Sequence, residues 1–291
     1  MQVANHWADY ELIDAGAGEK IERWGRYTLQ RPDPQAIWPH ESWPQPDALY
    51  HRSQTGGGYW QKFRELPATW DIRYEGASGP LVFRIEPTGF KHTGIFPEQA
   101  VNWDFCATAI RAAREEGREV RILNLFAYTG AATVACASAG ATEIVHLDAS
   151  KGMNLRAREN LALTGLDGRY VRFFSDDAQK FVEREIRRGR KYDGIIMDPP
   201  AYGRGPGGEL WKLEDALYGL TERCALLLSD QPLFFLLNAY TTSLAPSVLA
   251  NILGLIIRPR LGGQTDAYEL GLPATRRSLI LPCGCTGRWQ P

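Results

Sequence analysis

The sequence predicts an α/β fold: a doubly wound, mostly parallel seven-stranded sheet ending in an antiparallel hairpin, with a small β-rich unit ahead of it. Three observations predict it. From residue 97 onward, strand-like apolar runs alternate with helical segments. The last two strand-like runs, near 265–271 and 276–282, lie too close for a helical crossover, so one of them runs antiparallel. The first ninety residues have another texture, with six of the nine tryptophans and prolines crowded over 32–46.

In the amino-terminal part, the runs Tyr59–Phe63, Trp70–Tyr74 and Leu81–Glu86 are aromatic and branched, separated by GGG at 56–58 and EGASGP at 75–80. That pattern predicts a small antiparallel β domain over 1–89, its tryptophans forming a core rather than a base-stacking surface. From Pro97 a helix runs over 98–116 to Gly117, followed by a strand at 120–126 and a small-residue helix at 129–140. The alternation continues through a strand at 143–149, a helix at 151–164, a strand at 170–174, a helix from 178 to about 188, and a strand at 192–198. A helix near 209–229, a strand at 232–240 and a helix from 244 to about 257 lead to the final hairpin. A sheet built this way needs helices on both faces, and residues 90–291 form the second, larger domain.

Composition narrows the function. With 44% hydrophobic and 23% charged residues, the 291-residue chain is neither disordered nor fibrous. No apolar stretch is long enough to span a membrane, and the start, MQVANHWADYELID, has no secretory pattern. Five cysteines, an odd number and mostly isolated, point to the reducing cytoplasm rather than a disulfide framework. The five histidines are scattered without metal-ligand spacing, so no metal is expected. Net charge is −1, divided as −3 over residues 1–90 and +2 over 91–291. A chain this neutral does not grip nucleic acid by its overall field, so an RNA substrate would need a local patch.

Ligands of an open parallel sheet bind beyond the carboxyl ends of its strands. The first strand ends in NLFAYTG (124–130), whose single Gly130 allows a close approach of backbone to ligand but lacks the three glycines of a pyrophosphate loop. This suits a nucleoside without phosphates. Asp148, eighteen residues beyond Gly130, can accept from two ribose hydroxyls, and can equally cap the next helix. Of Asp176 and Asp177, one can accept from an adenine amino group while the other caps the helix that follows. The fourth strand ends in Asp198-Pro199-Pro200-Ala201-Tyr202, the sharpest feature of the chain. Consecutive prolines hold the backbone extended and free of donors, leaving acceptors for an amino group of a planar base, with Tyr202 placed to stack on it.

Taken together, HTGIFPEQ (92–99), NLFAYTG, HLDAS (146–150), SDDAQKF (175–181) and MDPPAYGRG (197–205) resemble the class I S-adenosylmethionine-dependent methyltransferases, whose fold is Rossmann-like. The resemblance covers about residues 85–291 and is narrowest to the branch with the large-subunit ribosomal RNA cytosine carbon-5 methyltransferases. It implies S-adenosyl-L-methionine as cofactor, bound by Asn124, Phe126, Tyr128, Thr129 and Gly130 of the first loop, by Asp148 and Ala149 at the ribose, and by Asp176 and Asp177 at the adenine. It further implies that Phe96 and Gln99 fold over the cofactor, and that Asp198, Pro199, Pro200 and Tyr202 form the reaction site.

The chain departs from that branch in two places. Its acidic, Trp-rich first ninety residues do not resemble an RNA-binding PUA domain. Where the branch has a cysteine after the fifth strand, this chain reads Asn238-Ala239-Tyr240-Thr241-Thr242-Ser243. Cys283 and Cys285 are expected at the opposite edge of the sheet, which leaves a nitrogen or oxygen acceptor, or a carbon that needs no thiolate addition. The expected activity is methylation of a base in RNA, ribosomal RNA first. The alternatives are methylation of a small molecule or protein side chain, or an inactive cofactor-binding module in ribosome assembly.

Overall fold

The computed structural model describes residues 1–53, 57–204, 210–240 and 244–291. The chain opens with β1 (Gln2–Val3), β2 (Tyr10–Gly16), β3 (Glu19–Trp24), β4 (Tyr27–Pro32), β5 (Ala48–Arg52) and β6 (Gly58–Lys62), followed by the hairpin β7 (Trp70–Gly76) and β8 (Gly79–Ile85). A 3-10 turn at Pro97–Gln99 enters α1 (Ala100–Glu115). Then come β9 (Arg121–Leu125), α2 (Ala131–Ser138), β10 (Glu143–Leu147), α3 (Lys151–Leu163), β11 (Val171–Phe174), α4 (Ala178–Arg187) and β12 (Gly194–Met197). A short hairpin, β13 (Tyr202–Arg204) and β14 (Leu210–Lys212), precedes α5 (Leu213–Ala225), β15 (Phe234–Ala239), α6 (Pro246–Leu261), β16 (Gln264–Pro273) and β17 (Ile280–Gln290).

The main sheet has the order β1-β16-β17-β15-β12-β9-β10-β11. Its strands are parallel except β17, which runs antiparallel to both neighbours. Two-residue β1 joins the outer edge beside β16, so the first residues of the expected amino-terminal domain lie in the large sheet. Alternate residues feed opposite faces, as the period of two requires. Along β15, Phe234 and Leu236 enter a core shared with α1, α2 and the amino-terminal strands, whereas Phe235 and Leu237 enter one shared with α4, α5 and α6. Strand order reverses between β9 and β12, and the loops after these two strands flank the crevice where ligands bind.

The amino-terminal sheet is β2-β3-β4-β5-β6. It is antiparallel apart from β4 and β5, which pair in parallel because the proline-rich segment between them crosses over. Charge is buried inside it. Glu22 accepts from Arg31 Nε at 2.5 Å and Nη2 at 3.0 Å, and from the Tyr10 hydroxyl at 2.8 Å. Burial alone would raise the Glu22 carboxyl; Arg31 and Lys20 override it and hold the group at about 2. Buried Asp14 ties this sheet to the final hairpin, accepting from Trp43 Nε1 and Arg277 Nε at 2.8 Å each.

The last strand corrects an expectation. β17 starts at Ile280 and contains Cys283 and Cys285, and Cys285 lies opposite Ala239 at the carboxyl end of β15. The two cysteines are therefore at the site's edge of the sheet, not the opposite one. The hairpin β13–β14 was also not expected from the sequence, which placed a helix from about residue 209.

Candidate active site

The loop after β9 is shaped by strain. Phe126 and Tyr128 have φ of 56° and 49°, a region that non-glycine residues rarely occupy. The turn is held by Asp148 at the end of β10, whose Oδ2 accepts from the Tyr128 amide at 2.9 Å while Oδ1 accepts from the Ser150 amide at 2.8 Å. Ser150, not Asp148, caps α3, accepting from the Met153 amide. Burial raises the Asp148 carboxyl, and its two amide partners pull it back down. Gly130 has a packing role that the sequence did not show. At φ 81° it starts α2, and a Cβ there would lie 2.7 Å from the Ala157 Cβ of α3 and 3.2 Å from His146 Cε1. It lets α2 pack on α3 and lines neither cavity described below.

Two cavities, about 360 Å³ and about 50 Å³, share Phe96, Phe126, Tyr128 and Asp198 as a common wall. The larger one brings together Asp148, Ala149, Asp176 and Asp177 from the β10 and β11 ends with Pro199 and Pro200 from the β12 end. The smaller one adds Gln99, Asn124 and Thr129. Neither is lined by a lysine or arginine among the described residues, so neither matches a pyrophosphate.

Within these walls the partners differ. Asp177 is the helix cap, accepting from the Lys180 amide at 2.9 Å, while Asp176 accepts from the Asp177 amide and from Arg184. Phe96 stands between Tyr128 and Tyr240, with ring centroids 5.3 and 5.5 Å away. Gln99 donates to the Tyr240 hydroxyl at 2.6 Å and accepts from Asn102 and Asn238 at 2.7 and 3.1 Å. Asn124 donates to Thr133 Oγ1 at 3.0 Å, and the Thr129 hydroxyl donates to the Gly94 carbonyl.

Asp198 is a carboxyl held far from its ordinary state. Its Oδ1 is buried without a hydrogen-bond partner. Burial pushes its carboxyl up to about 8, with nearby Glu98 adding to the rise and Asn238 opposing it. Glu98 is itself pushed up by burial to about 7. Of the acceptors expected on the proline segment, the Pro200 carbonyl is already taken by Trp211 Nε1 at 2.6 Å.

Tyr202 is 59% exposed and lines neither cavity. Besides Phe96, Phe126 and Tyr128, further aromatic walls come from residues the sequence did not single out. Trp211 packs 5.3 Å from Phe126, and Tyr240 and His92 complete the larger cavity. Trp211 sits on an unforeseen hairpin strand, and Tyr240 was read only as part of a segment lacking cysteine. That segment's Thr241, Thr242 and Ser243 lie outside the described residues, as do residues 205–208 of the glycine-rich loop. Cys285 is at the right edge but its thiol is pushed up by burial to about 11, and burial likewise raises Cys283. Neither cysteine lines a cavity, and the raised thiols disfavour the thiolate form near neutral pH.

A strained loop after the first parallel strand, an acidic residue after the second and a buried acceptor after the fourth define a nucleoside-cofactor site at the switch point of the sheet. The family model for S-adenosylmethionine-dependent methyltransferases matches residues 43–222, and the chain belongs to that family. It is similar over 99% of its length to an S-adenosylmethionine-dependent methyltransferase of known structure from Agrobacterium tumefaciens, at 34% identity and a TM-score of 0.91, covering 92% of that chain. A Streptococcus mutans protein, 16% identical with a TM-score of 0.73, shares the fold over 99% of this chain and 76% of its own. Among curated relatives, the ribosomal RNA large subunit methyltransferase K/L of Chromohalobacter salexigens is 31% identical over 157 residues, 54% of this chain. That of Shewanella baltica is 31% identical over 149 residues, 51% of this chain. The matched segments span 20% and 19% of those relatives' lengths.

The protein is an S-adenosylmethionine-dependent methyltransferase with the fold of class I. Its residues fit that cofactor: acceptor oxygens at Asp148 suit ribose hydroxyls, and the smaller cavity offers the polar side chains Gln99, Asn102, Asn124, Thr129 and Asn238 to an amino acid end.

Proposed function

We propose that the chain methylates a base in RNA, with large-subunit ribosomal RNA first among substrates, and that it works in the cytoplasm. The observation that carries this reading is Asp198: a buried carboxyl oxygen without a partner, in the wall between the two cavities, at the head of a donor-free proline segment. Such an oxygen calls for an N–H donor, and the exocyclic amino edge of a base supplies one. The names of the curated relatives support ribosomal RNA, and five free cysteines support a reducing compartment.

In this reading residues 90–291 carry the chemistry and residues 1–89 form a supporting β unit. Asp148 and Ala149 hold the ribose, Asp176 and Asp177 face the adenine, and the 124–130 loop with Phe96 and Gln99 encloses the methionine end. When bound, the cofactor supplies a methyl group already activated on a sulfonium. The protein's own task is alignment, which can contribute on the order of 7–11 kcal/mol. Asp198 holds the amino edge of the base, and its ionised form, whose share grows as pH rises through about 8, takes the proton that an attacking nitrogen releases. Phe126, Trp211 and Tyr240 offer aromatic surfaces to the base, and Pro199 and Pro200 keep competing donors away. Methylation of a small molecule or protein side chain is the competing reading, favoured by the near-neutral charge of −1. Tritium transfer from labelled cofactor to ribosomal RNA, total small-molecule extract and total protein separates them.

A further inference from the structure

We propose that a patch on the amino-terminal β unit, built from Arg52, Phe90, Lys91 and His92, holds the single-stranded RNA that flanks the target base. This inference rests on the RNA reading above and names where the strand lies.

The patch is a defined piece of structure. The segment 88–92 runs along the β5–β6 hairpin, fixed by a hydrogen bond from Trp60 Nε1 to the Thr88 carbonyl at 2.8 Å and one from the Tyr50 hydroxyl to the Gly89 carbonyl at 3.1 Å. Arg31 Nη1 donates to the Lys91 carbonyl at 3.0 Å from beneath. On this frame one large aromatic faces solvent: Phe90 is 66% exposed. Its ring is not used by the core, unlike that of Trp60 beneath the segment.

Positive charge is gathered at the same place and left without a counterion. Lys20 is paired to Glu22 at 3.5 Å and Asp33 at 3.2 Å, and Arg31 to Glu22. No ion pair among the described residues involves Lys91 or Arg52. Burial lowers the Lys91 ammonium, and Lys20, Arg31 and Arg52 push it down further against a single opposing carboxylate, Asp33. His92 feels burial and the same cations, and is held down at about 4. A half-buried ammonium without a counterion, next to an exposed arginine, calls for an anion, and the exposed flat ring of Phe90 beside them calls for an unstacked base. A phosphodiester strand in single-stranded form supplies both.

Continuity with the site completes the argument. His92 lines the larger cavity and packs 5.3 Å from Phe96, while Phe90 is two residues earlier, within about 8 Å along the backbone. A strand whose target base enters the cavity past Asp198 passes over the patch. The overall charge of residues 1–90 is −3, so this is the local concentration of positive charge that a nearly neutral chain would need.

The test is fluorescence anisotropy with a fluorescein-labelled, mixed-sequence single-stranded RNA of twelve nucleotides, and the same sequence as a duplex, across a salt series. Lys91→Gln with Arg52→Gln is expected to raise Kd roughly tenfold and flatten the slope of log Kd against log salt by about 1.4, about 0.7 per lost phosphate contact. Phe90→Ala is expected to raise Kd about tenfold with the salt slope unchanged. Calorimetry with S-adenosylmethionine should give wild-type affinity for every variant, which reports intact folding. If the wild type binds the single strand and these variants match it in Kd and slope, the patch is not the RNA site and the RNA reading stands. Preference for the duplex overturns the patch in the same way. If the wild type binds neither RNA, the RNA reading itself fails and takes the patch with it.

Discussion

Asp198→Asn tests the physical state of the site before any substrate is known. The folded protein holds this carboxyl at about 8, whereas its ordinary value is 3.8. Between these pH values the native state keeps a proton that the unfolded chain releases, so stability falls as pH rises through the window. At 1.36 kcal/mol per pH unit, the cost to the folded state is on the order of 4 kcal/mol at pH 7. Asparagine cannot ionise in either state, so this cost disappears in the variant. Its amide brings an additional buried N–H that lacks a partner, a penalty of ~1–3 kcal/mol. The net gain at pH 7 is then about 2 kcal/mol, and it grows by on the order of 3–4 kcal/mol between pH 5 and pH 8. Denaturant melts of both proteins at pH 5, 6, 7 and 8 measure it, and the difference between them isolates Asp198 from other titrating groups. The same variant should bind cofactor within a few-fold of wild type and lose methyl transfer. A constant stability difference across the pH series would refute the claim that Asp198 sits desolvated and unpartnered.

Other consequences follow from the same geometry. Asp148→Ala should weaken S-adenosylmethionine binding by at least about a hundredfold, since two charge-assisted hydrogen bonds at ~1.5–3 kcal/mol each are lost; calorimetry on the folded variant checks it. Trp211→Ala should raise the acceptor KM more than Tyr202→Ala, because Trp211 lines the larger cavity and Tyr202 does not; steady-state kinetics on the methylated RNA compares the two. Glu22→Gln should cost about 3–5 kcal/mol by leaving Arg31 buried without its partner. The Glu22 carboxyl lies below its ordinary value, at about 2 against 4.5, so its contribution is present above pH 4.5 and fades as pH falls toward 2. Acid titration of wild type against Glu22→Gln should show the gap closing over that window.

The parallel sheet was legible because its strands are short apolar runs bounded by turns, and buried strands leave little freedom in reading them. Asp148 and Asp198 were legible for a related reason: a carboxylate ending an apolar strand has few structural uses. Strands β2, β3 and β4 were harder to read. They carry Asp14, Glu22 and Arg31 inward, and only the folded pairing makes such charges tolerable in a core. The packing role of Gly130 was not legible because sequence shows a glycine in a loop but not the Ala157 methyl group it makes room for. Trp211 and Tyr240 reach the cavity through a hairpin and a strand end whose places are set by tertiary contacts. The position of Cys285 turned on where β17 begins, and element boundaries follow from pairing with β15 and β16 rather than from local pattern.

The central claim, that Asp198 presents an RNA base to the cofactor, is tested most directly by methyl transfer from tritiated S-adenosylmethionine to large-subunit ribosomal RNA lacking its natural modifications. The account predicts that the wild type labels a base in this RNA and that Asp198→Asn, with cofactor still bound, does not. Label appearing only in small molecules or protein, or Asp198→Asn labelling RNA at the wild-type rate, would contradict it.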